Sequence, residues 1–422
     1  MSAPPTEQAS QFDLPENSAQ PGFGQAASEY LNRIKGGDLG ALPAVIGVVV
    51  LVVIFGIMQS DAFLSEANFA NLINQGAAIM VLAIGLVFVL LLGEIDLSAG
   101  FAAGMGAATL AVTLTNHGWA WETSLLLMLV VGAAIGLTIA VLVARLGIPS
   151  FVVTLAFFLA LQGGALLIIG EGGTIPIRDE TILSVMNKNM SVGVGWAFAV
   201  IVVAGYGAAS FFGIARRRKA GLAAQATSVW AAKVGALAVL VFIATYLLNE
   251  ERQRDTALIT IQGVPRVVPL VAILVVGLHF LLTRTAFGRH VYAVGGNEEA
   301  ARRAGINVAN IKTVCFIMCS VLAVIAGLLL ASRDNSVSPT TGGAQTLLYA
   351  VGAAVIGGTS LFGGRGRVFD AVTGGLVIAV IANGLPLVTE KSGTQFIING
   401  LVLLVAASVD AVSRRRAAAT GR

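Results

Sequence analysis

The chain has 422 residues, of which 56% are hydrophobic and only 11% charged, with 50 glycines and a formal net charge of +4. So little polar surface cannot cover a water-soluble globule, and a mean hydropathy of +0.87 places the outer surface against lipid. The basic pI near 9.3 does not call for nucleic acid, because Lys and Arg retained in cytoplasmic loops account for it.

Residues 1–40 are rich in Pro, Gln, Ser and Ala and hold no apolar core, so a disordered cytoplasmic tail is expected there. No signal peptide is read in it, and the first internal span is expected to act as the insertion signal. From Ala41 onward apolar runs recur at the length, about 20 residues, that a helix needs to cross roughly 30 Å of hydrocarbon. These runs are apolar on every face and interrupted by glycine, which predicts packed helices rather than the alternating strands of a barrel. Spans are expected near 41–58, 72–92, 97–115, 124–144, 151–170, 193–214, 229–248, 267–283, 313–332, 345–363, 368–388 and 396–412. The expected fold class is all-α, a polytopic integral membrane protein with 10 to 12 transmembrane helices between 41 and 413 and a basic cytoplasmic tail over 414–422. The 93–96 break and the 345–363 segment are the two places where a re-entrant or broken helix would lower the number of crossings.

With both termini in the cytoplasm, only Arg178, Lys188, Arg252, Arg254, Arg266, Arg333 and Lys391 of the 26 basic residues fall on the outer side. The Arg414, Arg415, Arg416 cluster reads as a topology stop or a lipid-headgroup contact. Trp119, Trp121 and Trp196 sit where interface belts form. Cys315 and Cys319 share one helix face with no His or acid in that segment and read as packing, and the three histidines are scattered, so no metal site and no catalytic residue is expected.

Residues 283–312 form a polar loop between two apolar runs. Gly295 and Gly296 are expected to break the chain, Asn297 to cap a helix, Glu298 and Glu299 to favour its positive end, and Arg302 and Arg303 its negative end. Ala300 and Ala301 fill the middle, and Gly305 ends a two-turn helix running from Asn297 to Ala304. No lysine follows a glycine anywhere in the sequence, so the chain carries no P-loop of its own.

Three stretches together resemble the permeases of carbohydrate-uptake ABC importers of the ribose and xylose class. Gly288-Arg289 with Ala293 to Ala301 and Ala304-Gly305-Ile306 resembles that family's cytoplasmic coupling segment. Gly93-Glu94-Ile95-Asp96-Leu97-Ser98-Ala99-Gly100 is similar to its Gly-Gly-Ile-Asp-Leu-Ser-Val-Gly signature, with Glu94 standing where glycine or another small or polar residue is often found. Gly357 to Gly366 matches its glycine-rich C-terminal segment. The resemblance runs from about Ala41 to Ser413, and the extra pair of spans at 193–214 and 229–248 resembles xylose-type members.

The resemblance implies an ABC permease fold that binds no cofactor itself. ATP and magnesium would sit on a separate ABC ATPase, whose groove would receive the coupling helix. An extracytoplasmic sugar-binding protein would deliver a small sugar, by this likeness a pentose such as xylose, to a permease homodimer in the bacterial inner membrane. Candidates for the path or its gate are Glu94, Asp96, Ser98, Asn74, Gln75, Thr154, Gln162, Thr359 and Asn383, polar groups that are expensive in lipid. Asp96 is expected to cap a helix starting at Leu97, with Ser98 as a further acceptor. An ABC permease for another solute, such as a branched amino acid or a furanone signal, shares this plan. An ion-coupled secondary transporter would instead place paired charges deep in the membrane.

Overall fold

A computed structural model describes residues 42–222, 224–252, 261–402, 404 and 408. The expected tails at 1–40 and 414–422, and about half of the last expected span, lie outside the described residues. The helices, in order, are α1 (Leu42–Met58), α2 (Ser60–Phe63), α3 (Glu66–Leu91), α4 (Ala99–Ala111), α5 (Trp121–Ala140), α6 (Ser150–Ile169), α7 (Glu180–Asn187), α8 (Val192–Lys219), α9 (Thr227–Asn249), α10 (Val267–Arg284), α11 (Ala286–Gly296), α12 (Glu298–Arg303), α13 (Val308–Asp334), α14 (Gly343–Gly357) and α15 (Val368–Val388). Two-residue strands β1 (Ile175–Pro176) and β2 (Ser336–Val337) pair antiparallel, and residues 392–402 are again helical.

Among the described residues eight helices are long and apolar enough to cross a membrane, while α1 and α14 are shorter apolar helices. Each expected span is helical where described, but the 97–115 and 345–363 segments are shorter α-helices than expected. The first starts only at Ala99 and passes into a π-turn over Val112–Asn116, and the second stops at Gly357, where Gly358 turns left-handed at φ 119°.

The chain divides into two units. One contains Trp196–Ala244, the facing parts of α8 and α9. Trp230 fastens this hairpin by donating its indole N–H to Ser210 Oγ at 3.0 Å, with its ring centroid 5.3 Å from that of Phe211.

The other unit spans Gly37–Gly195 and Thr245–Arg422. Its centre is the antiparallel pair α3 and α13. Ser65 caps α3 by accepting from Asn68 N, and Asn307 caps α13 by accepting from Asn310 N, so both helices start earlier than hydropathy alone suggested. In lipid the hydrophobic effect does not drive helices together, and small residues that permit close packing take over. Gly85 accordingly lies against the backbone of Cys319, and both Cys315 and Cys319 are fully buried in this seam.

After each long helix the chain turns back into the bundle and starts a short one. From Leu91 it climbs through 92–98, with Asp96 beside the Cys319 thiol, and begins α4, whose Ala103 packs on Gly327 in α13. From Asp334 it passes through β2 and 338–342 and begins α14 beside the first turn of α4. A Cβ at Gly100 would collide with the Gly343 carbonyl, so only glycine lets these two helix starts meet. The two helices run in opposite directions from this junction, and the path α3, break, α4 is repeated in reverse sense by α13, break, α14.

Candidate functional site

The polar stretch after α10 folds into two helices, not one. Thr285 caps α11 by accepting from Gly288 N, and Val291 and Val294 bury its inner face. Gly295 and Gly296 therefore do not break the chain, as the sequence suggested; they complete the last turn of α11, and the break falls at the extended Asn297. The reason for glycine at 295 is contact: a Cβ there would run into the Leu91 carbonyl at the end of α3.

The next helix matches the expected polarity, with bounds Glu298–Arg303. Asn297 Oδ1 accepts from Ala300 N at 2.8 Å, and Glu298–Arg302 and Glu299–Arg303 form i,i+4 pairs at 2.8 and 3.1 Å. Gly305, at φ 84°, ends the segment. Ala301 is buried and anchors α12, whereas Asn297, Glu299, Ala300, Arg302, Arg303 and Gly305 are exposed. One face thus holds the helix to the protein, and the other is free.

The three sequence motifs, far apart in the chain, meet around the last turn of α11. Leu91 O accepts from Gly364 N at 2.9 Å, and the Tyr292 hydroxyl of α11 donates to Gly366 O at 2.7 Å. Burial and the nearby Asp370 carboxylate push the Tyr292 phenol above its usual pKa. Asp370 in turn accepts from Arg367 N at 2.7 Å and from its guanidinium at 3.2 Å, fixing the glycine-rich loop to the start of α15.

The break at 93–98 is anchored on both sides. Lys312 Nζ lies 2.7 Å from Glu94 Oε1 and 2.9 Å from Glu298 Oε2, while Ile95 N donates to Ser150 Oγ at 3.3 Å and Thr154 Oγ1 donates to Ile95 O at 3.2 Å. Asp96 does not cap a helix at Leu97. Its Oδ1 accepts from Ser98 N at 2.9 Å and Ser98 Oγ at 2.5 Å, closing a turn before α4 starts at Ala99, and Ser98 acts as donor where an acceptor was expected.

The remaining candidates are not gathered in one place. Asn383 exchanges amide hydrogen bonds with Asn68 at 2.7 and 2.9 Å, and Thr359 donates to Asp370 at 3.4 Å, so both join helices. Asn74 and Gln75 are half-buried in α3, and Gln162 is half-buried in α6.

A polar cluster that the sequence reading missed lies on the outside of this unit. Tyr349 Oη in α14 accepts from Gln345 Nε2 at 2.9 Å and from Asn399 Nδ2 at 2.8 Å, with Gln345 exposed two residues after the α4–α14 junction. The i,i+4 spacing of Gln345 and Tyr349 inside an apolar run was the available signal; the partner Asn399 is 50 residues away and carried none.

Comparison with known proteins identifies the family. The family model described as the branched-chain amino acid transport system / permease component matches residues 68–407. The Escherichia coli K12 xylose transport system permease protein XylH is 34% identical over 383 residues, covering 91% of this chain and 94% of its own length. The Haemophilus influenzae XylH is also 34% identical, over 91% of this chain and 99% of its own. The ribose import permease protein RbsC of Escherichia coli K12 is 28% identical over 87% of this chain and 92% of its own. No solved structure matches the chain. Together the membrane helices, the assembled motifs and these matches establish that the chain belongs to the branched-chain amino acid transport system / permease component family, among its ABC sugar permeases.

Proposed function

We propose that this chain is the membrane subunit of an ATP-driven sugar importer, with a pentose such as xylose as cargo, and that α12 is the helix on which a separate ABC ATPase docks. The observation that carries the reading is the exposed, correctly charged face of α12 on a body fixed to the ends of α3, α13 and α15, in a chain with no P-loop. A rigid mount of that kind can pass a partner's movement into the spans. On this reading the α12 face is cytoplasmic and the β1–β2 face receives an extracytoplasmic sugar-binding protein. Two copies would enclose the path.

The cluster Gln345, Tyr349 and Asn399 supports a path along that side of the unit. An exposed amide at Gln345 beside the half-buried Tyr349 phenol and Asn399 amide is costly against lipid, and the three offer the donors and acceptors that sugar hydroxyls require.

The test is uptake of labelled xylose into vesicles carrying the permease with its own ATPase and binding protein, with ribose and leucine as competing solutes. Xylose uptake that stops when ATP hydrolysis is blocked is expected. Uptake that persists without hydrolysis but collapses with the ion gradient would overturn the ABC assignment, and leucine preferred over both sugars would overturn the cargo.

A further inference from the structure

The four charges Glu94, Lys312, Glu298 and Arg302 form a continuous chain, with Lys312 Nζ 2.7 Å from Glu94, 2.9 Å from Glu298, and Arg302 2.8 Å from the other Glu298 oxygen. The chain is graded in burial. The side chains of Lys312 and Glu94 are 12% and 17% exposed, against 41% for Glu298 and 61% for Arg302. An exposed ion pair is weak and exchangeable, whereas a desolvated one is held in place because parting it leaves an uncompensated charge.

Beyond Glu94 the connection continues through backbone. Ile95 N is held by Ser150 Oγ at 3.3 Å and Ile95 O by Thr154 Oγ1 at 3.2 Å, both at the start of α6, the helix that carries Gln162. Beside the whole line lies a cavity of about 540 Å³, lined by Glu94, Lys312, Glu298, Arg302, Ser150 and Asn307 among others. Close-packed protein transmits displacement, while an adjoining void gives the moving part room. Ala301 already anchors α12, so the charged line is a second tie, and it is the one that reaches the break before α4.

Resting on the reading of α12 as the ATPase-docking helix, we infer that the Glu94–Lys312 pair is the joint that carries movement of α12 into the break before α4 and, through Ile95, into α6. Lys312 is a positioning residue: it touches neither ATP nor sugar. Glu94 is its socket in the break, which gives a role to the acid at this position. Glu298 lets the lysine follow α12, and Arg302 keeps Glu298 oriented from the solvent side.

The experiment compares E94Q, K312M, the double variant and K312R in vesicles containing the permease with its own ATPase and binding protein, reading sugar imported per ATP hydrolysed. Each neutralising variant is expected to cut that ratio about tenfold, with hydrolysis changed less than about twofold, and the double variant to be no worse than either single. K312R, which keeps the charge, is expected to stay within about threefold of the parent. A parental ratio in both neutralising variants overturns the joint, as do losses that multiply in the double variant. An equal fall of hydrolysis and uptake overturns it too, since that marks a docking or folding contact. Failure of the parent itself to import sugar with ATP hydrolysis instead overturns the function reading on which the joint rests.

Discussion

The break before α4 carries Glu94, Asp96 and Ser98, whereas the one before α14, from Asn335 to Gly342, has hydroxyls and no charge. The first is tied by Lys312 to α12. The second closes on itself, Ser338 N donating to Thr341 Oγ1 at 2.9 Å, and is tied through β2 to β1 on the opposite face, where Asn187 also holds Ser332 O at 2.8 Å and Asn335 at 2.7 Å. The two breaks are thus tied to opposite sides of the unit, and the helices that follow them meet at Gly100 and Gly343. Each face is therefore connected, through one break, to the same junction.

The most severe way to break that symmetry is to wedge the junction. Gly100→Leu places a side chain against the Gly343 carbonyl and Leu347, and the destabilisation is expected to reach about 3 kcal/mol or more. Loss of the monodisperse, detergent-extracted protein in size-exclusion chromatography checks this. A Gly100→Leu protein that melts with the parent would show that the two helix starts are not in contact.

Disabling one face alone should be gentler on the fold and just as damaging to transport. Ala300 is exposed on α12 while its neighbour Ala301 is buried, so Ala300→Arg should leave the thermal midpoint unchanged and lower ATP-driven uptake about tenfold, as loss of a central interface contact does. Copurification of the ATPase with the variant permease provides the check, and undiminished recovery would remove α12 from the interface.

The mildest pair separates helix joining from path lining. Asn383→Leu removes the amide exchange with Asn68 and should cost about 1 kcal/mol of stability with KM unchanged. Gln345→Leu should do the reverse, raising the KM for sugar about threefold at an unchanged melting temperature. Measuring both parameters on both variants decides it, because the opposite pattern would exchange the two roles.

Much of this molecule was legible in the sequence for identifiable reasons. Long apolar runs marked the spans, because a bilayer admits few other backbone solutions. The α12 helix was readable because Asn297, its two acids and its two arginines are local signals that act within two turns. The sequence marked the 93–96 break and the 345–363 segment as places for a broken or re-entrant helix, but not where α4 and α14 stop, since hydropathy does not register where a helix ends inside an apolar segment. The α11 helix was missed because Gly295 and Gly296 read as a break in isolation, and only the approach of Leu91 shows why a helix would accept them. The role of Lys312 was hidden for the same reason: both its partners, Glu94 and Glu298, come from other elements. Asn383 and Thr359 were selected for polarity in lipid, and polarity alone does not distinguish a wall from a join.

The burial of Cys315 and Cys319 in the α3–α13 seam has a practical corollary. Thiolate chemistry requires access and ionisation, and both sulfurs are withheld from water. Toward an aqueous maleimide the parent chain behaves as though it had no cysteine, so reporter groups can be attached one at a time to α12 or to the β1–β2 face without first stripping the native thiols and disturbing the seam they pack.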